Sequence, residues 1–175
     1  MKKPSVSELI GLLDKPRLLP WANKIGLEGI SLNSYRQEKL ANGSSNHKMV
    51  ENFIKHKTPY LNKFTQIRAE MFFEGIEVLG VEEKIETDYF TGRYDLKIKK
   101  NGIIYMCDFK SNHRKHYDEN ILQLAAYKMA SNSDKVAIIS LPDFDWMPLE
   151  INDFSIYEDI LKNLSNIYNL KQQLK

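Results

Sequence analysis

The sequence contains very little cysteine. Cys107 is the one cysteine among 175 residues, so the chain cannot form an internal disulfide or hold a four-cysteine iron–sulfur cluster. No apolar run approaches the roughly 20 residues that a membrane-spanning helix needs. Glu8 interrupts the apolar N-terminal segment and no small-residue cleavage site follows, so we expect no signal peptide. These absences favour a cytoplasmic protein that does not contact membranes.

The chain also lacks a strong excess of charge of either sign. Its net charge of +2 is too small to indicate nucleic-acid binding, which must be sought in local clusters instead. No repeats, low-complexity tracts or linkers divide the sequence. Its length is consistent with a single domain, residues 1–175, that buries a substantial core.

A β-hairpin is the clearest local signal. Asn101-Gly102 separates two runs of alternating residues, which is typical of a two-residue type I′ turn. The register that follows sets Leu96 opposite Cys107 and places Tyr94 and Phe109 on the same apolar face.

The other face of the hairpin carries the chemistry. The same register sets Asp95 opposite Asp108, with Lys110 two residues further along the same side. Carboxylates that face each other across two strands repel, and a divalent cation between them would turn this repulsion into ligation. A lysine beside the cation suits metal-assisted hydrolysis of a phosphodiester. The alternative is an exposed strand with ordinary alternation of aspartate and lysine.

A helix is predicted over residues 118–130, with Asp118 as a candidate N-cap. Gln123 and Tyr127 are four residues apart and therefore share one face of this helix. The alternative interpretation is a half-buried polar pair at the edge of the core.

These motifs together resemble the PD-(D/E)XK nuclease superfamily, and the trailing Gln-x-x-x-Tyr resembles its RecB-type branch, which includes the mitochondrial genome-maintenance exonuclease. The resemblance covers residues 43 to 130, and Tyr94 stands where the superfamily often has proline. The matching residues are His47, Asp95, Asp108-Phe109-Lys110, Gln123 and Tyr127.

The resemblance implies a site for Mg²⁺ or Mn²⁺ and a role for each residue. The implied metal ligands are His47, Glu82, Asp95, Asp108 and the carbonyl of Phe109. Glu70 and Glu83 are rivals of Glu82, and Glu51 is expected at most to orient His47. Lys110 would position the attacking water or stabilise charge, while Gln123 and Tyr127 would orient Lys110, the carboxylates or the DNA. For His47 the alternative is a capping or surface histidine.

DNA contacts are expected beside this site. The candidate residues are Lys97, His113, Arg114 and Lys115. The alternative is that these side chains are merely solvated.

The remaining elements are predicted from hydrophobic periodicity and from residues that begin or end helices and strands. We expect helices over 5–14, from Ser45 or Asn46 to about His56, and over 153–174. Strands are expected over 75–89, with a bulge near Gly80, and over 135–141. Residues 18–35 are expected to be mainly loop and broken helix, 57–68 a connection, 143–151 irregular, and 67–74 a strand or a short helix. The predicted core is 43–141, with helical additions at 1–42 and 142–175.

The order of these elements predicts an α/β fold, a three-layer sandwich with a mixed central sheet flanked by helices. The resemblance implies a restriction-endonuclease-like fold and a DNA nuclease, more readily an exonuclease than an endonuclease. By family analogy it would serve recombination, repair or phage DNA processing in a bacterial or phage-infected cell, with room for a protein partner. The alternatives of other classes are an inactive nucleic-acid-binding or assembly module and a protein-interaction domain.

Overall fold

The computed structural model describes residues 3–13, 15–16, 18–111 and 118–174. Within these ranges the chain forms six helices and five strands, which confirms the α/β class. In chain order the elements are α1 (Val6–Ile10), α2 (Leu18–Leu27), α3 (Leu32–His56), α4 (Lys63–Phe73), β1 (Glu77–Glu86), β2 (Thr91–Lys100), β3 (Ile103–Lys110), α5 (Asp118–Met129), β4 (Lys135–Ser140), β5 (Asp145–Leu149) and α6 (Ser155–Gln173).

The five strands form one mixed sheet in the order β1-β2-β3-β4-β5. Neighbouring strands are antiparallel except β3 and β4, which run parallel. A parallel pair needs a crossover connection, and α5 lies between these two strands in the chain. The register of β1 against β2 shifts between Val78 and Gly80, which confirms the predicted bulge.

The β2–β3 hairpin has the predicted turn, and its ladder has the predicted register from Lys100–Ile103 to Leu96–Cys107, where the ladder ends. Asn101 and Gly102 have φ angles of 52° and 80°, the positive values that a type I′ turn requires. Leu96 lies opposite Cys107. Beyond this pair, the N–H of Phe109 donates to Oδ2 of Asp95 at 2.7 Å. The hairpin therefore brings Asp95 against the stretch of β3 that carries Asp108.

Helices cover both faces of the sheet. Residues of α1, α5 and α6 form one hydrophobic cluster with Val136 and Ile138 of β4. Residues of α3 and α4 form a second cluster with Ala137 and Ile139 of the same strand. Because successive strand residues point to opposite faces, this alternation places one cluster on each side of the sheet. The fold is therefore an α/β sandwich.

The predicted apolar face of the hairpin is correct for Leu96, Cys107 and Phe109, which all belong to the second cluster. The prediction is wrong for Tyr94, which packs in the first cluster and donates its hydroxyl to Glu83. Period-two reasoning assumes regular strands, whereas β1 is irregular at Glu82, with a φ angle of 51°.

The helices before the sheet differ from the prediction in length. α1, predicted over 5–14, spans only Val6–Ile10. α2 is an unbroken helix where loop and broken helix were expected, and α4 begins within the predicted connection and makes 67–74 helical rather than extended. α3 begins at Leu32, with Ser31 as its N-cap, and not at Ser45 or Asn46. The stretch before His47 is polar and has no buried stripe, so periodicity could not reveal it. Good helix formers such as those at 36–41 nevertheless extend the helix.

The two ends of the chain are more than helical additions. α1 has Ser5 as its N-cap, reciprocated by Glu8, and buries Val6 and Leu9 in the first cluster. Residues 145–149 form the edge strand β5, although 143–151 was predicted to be irregular. Its proline, Pro148, is tolerated because an edge strand has one unpaired side.

Apolar residues recur at helical spacing along α6, at Ile156, Ile160, Leu164, Ile167 and Leu170. Leu164 is buried and Ile160 is partly buried, as this pattern predicts, whereas Ile156, Ile167 and Leu170 are exposed and Leu161 is buried. Several rotations of an amphipathic helix satisfy one sequence pattern, and contacts with α1 and α5 select among them.

Candidate metal centre

Two acidic residues of the antiparallel β1–β2 pair face each other at the centre of the site. Glu82 and Asp95 lie between the paired residues Val81–Leu96 and Glu83–Tyr94. Glu82 has a left-handed backbone, φ 51°, in the middle of a strand, where an L residue is strained by roughly 1–3 kcal/mol. The surrounding sheet holds the glutamate in this conformation, and its carboxylate is directed beside that of Asp95.

His47 of α3 completes a three-residue cluster. Its Nδ1 lies 3.5 Å from Oε1 of Glu82 and 3.5 Å from Oδ1 of Asp95. One ligand atom from each of the three residues lies within 4.8 Å of the others, and no further group of this kind occurs in the described part of the chain. The imidazole also packs edge-on against the ring of Phe109, with the centroids 5.5 Å apart.

Burial and the charges of neighbouring groups shift the pKa values of the residues in this cluster. Burial raises the pKa of Asp95 to about 8, helped by the charge of Asp108 and opposed by His47 and by the Phe109 N–H. Burial lowers the pKa of His47, but the nearby carboxylates of Glu82, Asp95 and Asp108 outweigh it, so this pKa is raised. The site therefore favours added positive charge, as a proton or as a cation.

A chain of contacts leads from the carboxylates to α5. Nζ of Lys110 lies 2.6 Å from Oδ2 of Asp108, which is fully buried. The same ammonium donates to Oε1 of Gln123 at 3.1 Å. Nε2 of Gln123 in turn donates to the hydroxyl of Tyr127 at 2.8 Å. The predicted neighbourhood of these four residues is therefore present, and Gln123 contacts Lys110 directly.

Several carboxylate oxygens here are buried without a hydrogen bond. Among the described residues, Oε1 of Glu82 and both oxygens of Asp108 have no hydrogen-bond partner, although Oδ2 of Asp108 has its ion pair with Lys110. Buried carboxylates are costly unless they are paired or coordinate metals. Two or more carboxylates with one imidazole fit Mg²⁺ or Mn²⁺, the oxygen-seeking ions expected from the sequence.

The structure separates Glu82 from its two sequence rivals. Glu70 is exposed and accepts a hydrogen bond from Gln66, and Glu83 is exposed and accepts one from Tyr94. Asp108 stands outside the group of three and is held instead by Lys110. Asp95 of β2 therefore faces Glu82 of β1 on one side, and Asp108 of β3 lies on its other side.

The other predicted site residues have different outcomes. Glu51 pairs with Lys48 and Lys55 on its own helix, so the suggestion that it orients His47 is wrong. The metal role of the Phe109 carbonyl stays a prediction. So does DNA binding by Lys97, which is half-buried and lies opposite Gly80 and Met106. His113, Arg114 and Lys115 lie outside the described residues.

One contact residue was missed in the sequence. NH1 of Arg93 lies 3.6 Å from Oε2 of Glu82. Arg93 precedes Asp95 by two residues on the same strand, and this spacing is the signal that could have indicated its proximity.

No protein-family model matches this chain, and no curated protein matches it in sequence. Among solved structures it is similar to "Crystal structure of SSO0001", with a TM-score of 0.48 and 15% identity, over 94% of this chain and 76% of that one. In the part of the chain that the structure describes, every helix is too short or too polar to cross a membrane. The residues of the site therefore carry the functional argument.

Proposed function

We propose that this chain is a metal-dependent deoxyribonuclease with a restriction-endonuclease-like fold, of the RecB-type PD-(D/E)XK branch. The observation that carries the proposal is the convergence of His47, Glu82 and Asp95, with ligand atoms within 4.8 Å, beside the Asp108–Lys110 ion pair. The contacts from Lys110 through Gln123 to Tyr127 support it further, because they join the motif residues of two separate elements.

A divalent cation in such a site supplies a Lewis acid that polarises the scissile phosphodiester. His47, Glu82 and Asp95 would hold it, with Asp108 adding negative charge from β3. Lys110 is only partly exposed, and its ammonium is fixed between Asp108 and Gln123. From that position it donates a hydrogen bond to the attacking water or to a phosphate oxygen, where negative charge develops.

Gln123 and Tyr127 keep this ammonium in place. The amide of Gln123 accepts from Lys110 and donates to Tyr127, so its two ends are both used. Burial raises the pKa of Tyr127, which keeps its hydroxyl neutral. Both side chains are uncharged, so they position the ammonium of Lys110 without neutralising it.

Cleavage of end-labelled linear DNA and of closed circular DNA, with and without Mg²⁺, tests the proposal. We expect Mg²⁺-dependent release of short products from linear DNA, as an exonuclease gives. Lys110→Met should lower the cleavage rate by on the order of 100-fold, because it removes a hydrogen-bond donor that stabilises the negative charge of the transition state. The variant should keep metal binding. Lys99→Gln, on an exposed part of β2, is the matched control. Full activity of a folded Lys110→Met protein would contradict the assignment.

The same assay separates the other candidate functions. Cutting of closed circular DNA would identify an endonuclease, since an exonuclease needs an end. Binding of metal and DNA without hydrolysis under any of these conditions would instead support an inactive binding module.

A further inference from the structure

A groove of about 710 Å³ opens beside the metal centre, between the start of the chain and the ends of β1 and β2. Its size lies within the range of pockets that bind small molecules, roughly 300–1,000 Å³. Polar side chains line it together with Val6, Ile85 and the backbone of Gly92. These polar side chains belong to Ser5, Ser7, Lys84, Glu86, Thr91, Arg93 and Tyr127.

Two walls of the groove are joined to the proposed catalytic residues. Arg93 contacts the carboxylate of Glu82 at 3.6 Å, and Tyr127 is hydrogen-bonded to Gln123, which holds Lys110. One side chain, Arg93, therefore separates a ligand in the groove from Glu82, and two, Tyr127 and Gln123, separate it from Lys110.

The groove carries two cations in an unfavourable arrangement. Lys84 and Arg93 are directly opposite each other in the β1–β2 ladder. Like charges at such a position destabilise a sheet unless an anion lies between them. Arg93 is partly compensated by Glu82, whereas Lys84 has no ion-pair partner among the described residues. Glu86, at the same rim, is already paired with Lys3 at 2.6 Å.

We infer that Lys84 and Arg93 form an anion-binding subsite for a phosphate of the nucleic-acid strand next to the bond that is cleaved. This inference rests on the proposed function and adds to it the position of the neighbouring phosphate. The guanidinium and the ammonium supply charged donors, and the hydroxyls of Ser7 and Thr91 supply further hydrogen bonds to phosphate oxygens.

The test compares Lys84→Gln and Lys99→Gln, each of which removes one positive charge from an exposed side chain. Lys99 pairs with Glu77 and does not line the groove, so it is the matched control. Binding of a short fluorescent single-stranded oligonucleotide is measured by anisotropy in Ca²⁺ at several salt concentrations. We expect Lys84→Gln to weaken binding roughly tenfold and to reduce the salt slope by about 0.7, the value for one lost phosphate contact.

The double variant Lys84→Gln/Arg93→Gln should reduce the salt slope by about 1.4, twice the single loss. Lys84→Arg should restore binding, because it restores a cation at the same place. Inorganic phosphate that competes with the oligonucleotide in wild type and not in the double variant would show that the subsite also accepts free phosphate.

Equal losses in Lys84→Gln and Lys99→Gln would overturn the inference, since net charge alone would explain them. The same holds if wild type binds no oligonucleotide. Failure of the proposed function looks different: wild type would bind the oligonucleotide through Lys84 and yet hydrolyse no DNA with Mg²⁺. Cleavage by wild type with unchanged binding by Lys84→Gln would refute the subsite alone.

Discussion

Glu82 shows how one residue can carry both strain and chemistry. A glutamate with a φ angle of 51° inside a strand is held there by the neighbouring ladder pairs. Strain of this kind persists where the surrounding structure over-determines it, and it is often found at functional sites. Here it accompanies a buried carboxylate oxygen without a hydrogen bond, beside Asp95 and His47. A bound cation would give that oxygen a ligand bond in addition to its 3.5 Å contact with Nδ1 of His47.

Asp95 gives a prediction for the metal-free protein. Its folded-state pKa is raised from 3.8 to about 8, so the folded protein binds a proton that the unfolded chain releases. This stabilisation is complete below the unfolded pKa and is lost as the pH rises through the folded pKa. In EDTA, we expect the free energy of unfolding to fall by up to about 1.4 kcal/mol per pH unit as the pH rises through this window.

Urea unfolding of wild type and Asp95→Asn between about pH 5 and about pH 8 measures this effect. The variant should show a flatter dependence, with the remainder due to His47, whose raised pKa acts in the same direction. Asp88→Asn, at an exposed position, is the control. Parallel curves for wild type and Asp95→Asn would contradict the prediction.

At the scale of elements, α3 is the decisive one, because it carries His47 to the sheet. It is continuous for 25 residues, although residues 42–46 are glycine, serine and asparagine. These residues have low helix propensity, and the helix is stable there only because hydrogen bonds continue through them. The helix then places His47 over Phe109 and the buried Val50 in the second cluster.

The continuity of α3 predicts the effect of Gly43→Ala. A methyl group at this position meets no atom within 4 Å, so it adds helix propensity without a clash. We expect stabilisation of about 0.5–1 kcal/mol, measured by urea unfolding. Gly102→Ala, at a φ angle of 80°, is the opposite control and should destabilise by about 1 kcal/mol. Unchanged or reduced stability of Gly43→Ala would indicate that the helix begins later, near Ser45.

On the scale of the whole molecule, the site joins both sides of the sandwich. His47 comes from α3 on the side of the second cluster, and Gln123 and Tyr127 come from α5 on the side of the first. Glu82, Asp95 and Asp108 come from the sheet between them. A cation at this place would therefore link a helix to two strands.

Metal binding should accordingly stabilise the entire fold. At a free metal concentration of one hundred times Kd, binding to the folded state alone adds about 2.7 kcal/mol. Mn²⁺ or Mg²⁺ should therefore raise the Tm of wild type, and His47→Ala should lose most of this increase. The control is Glu51→Gln, which changes a residue of the same helix that pairs with Lys48 and Lys55. This variant should keep the increase in Tm. An undiminished increase in His47→Ala would remove this histidine from the site.

Much of the site was predictable because its parts are local. The Asn101-Gly102 turn fixes the hairpin register, which brings Asp95 to the β3 stretch around Asp108. The spacing of Gln123 and Tyr127 on one helix predicts their hydrogen bond. The same reasoning missed β5, where Pro148 argues against a strand and the edge position permits one. It also misplaced part of the buried face of α6, since the rotation of the helix depends on its neighbours: Leu164 is buried as predicted, but Ile156, Ile167 and Leu170 are exposed.

The sequence by itself determined the turn, the strand pairing around it and the helical spacing of the polar pair, because these depend on backbone sterics and on period. Only the tertiary structure decided which acidic residue joins Asp95. Glu70, Glu82 and Glu83 are alike as sequence, and a strained backbone angle and the approach of α3 select Glu82. The spacing of Arg93 from Asp95 indicates that it lies near the site, but only the tertiary structure gives its partner, Glu82 of the neighbouring strand.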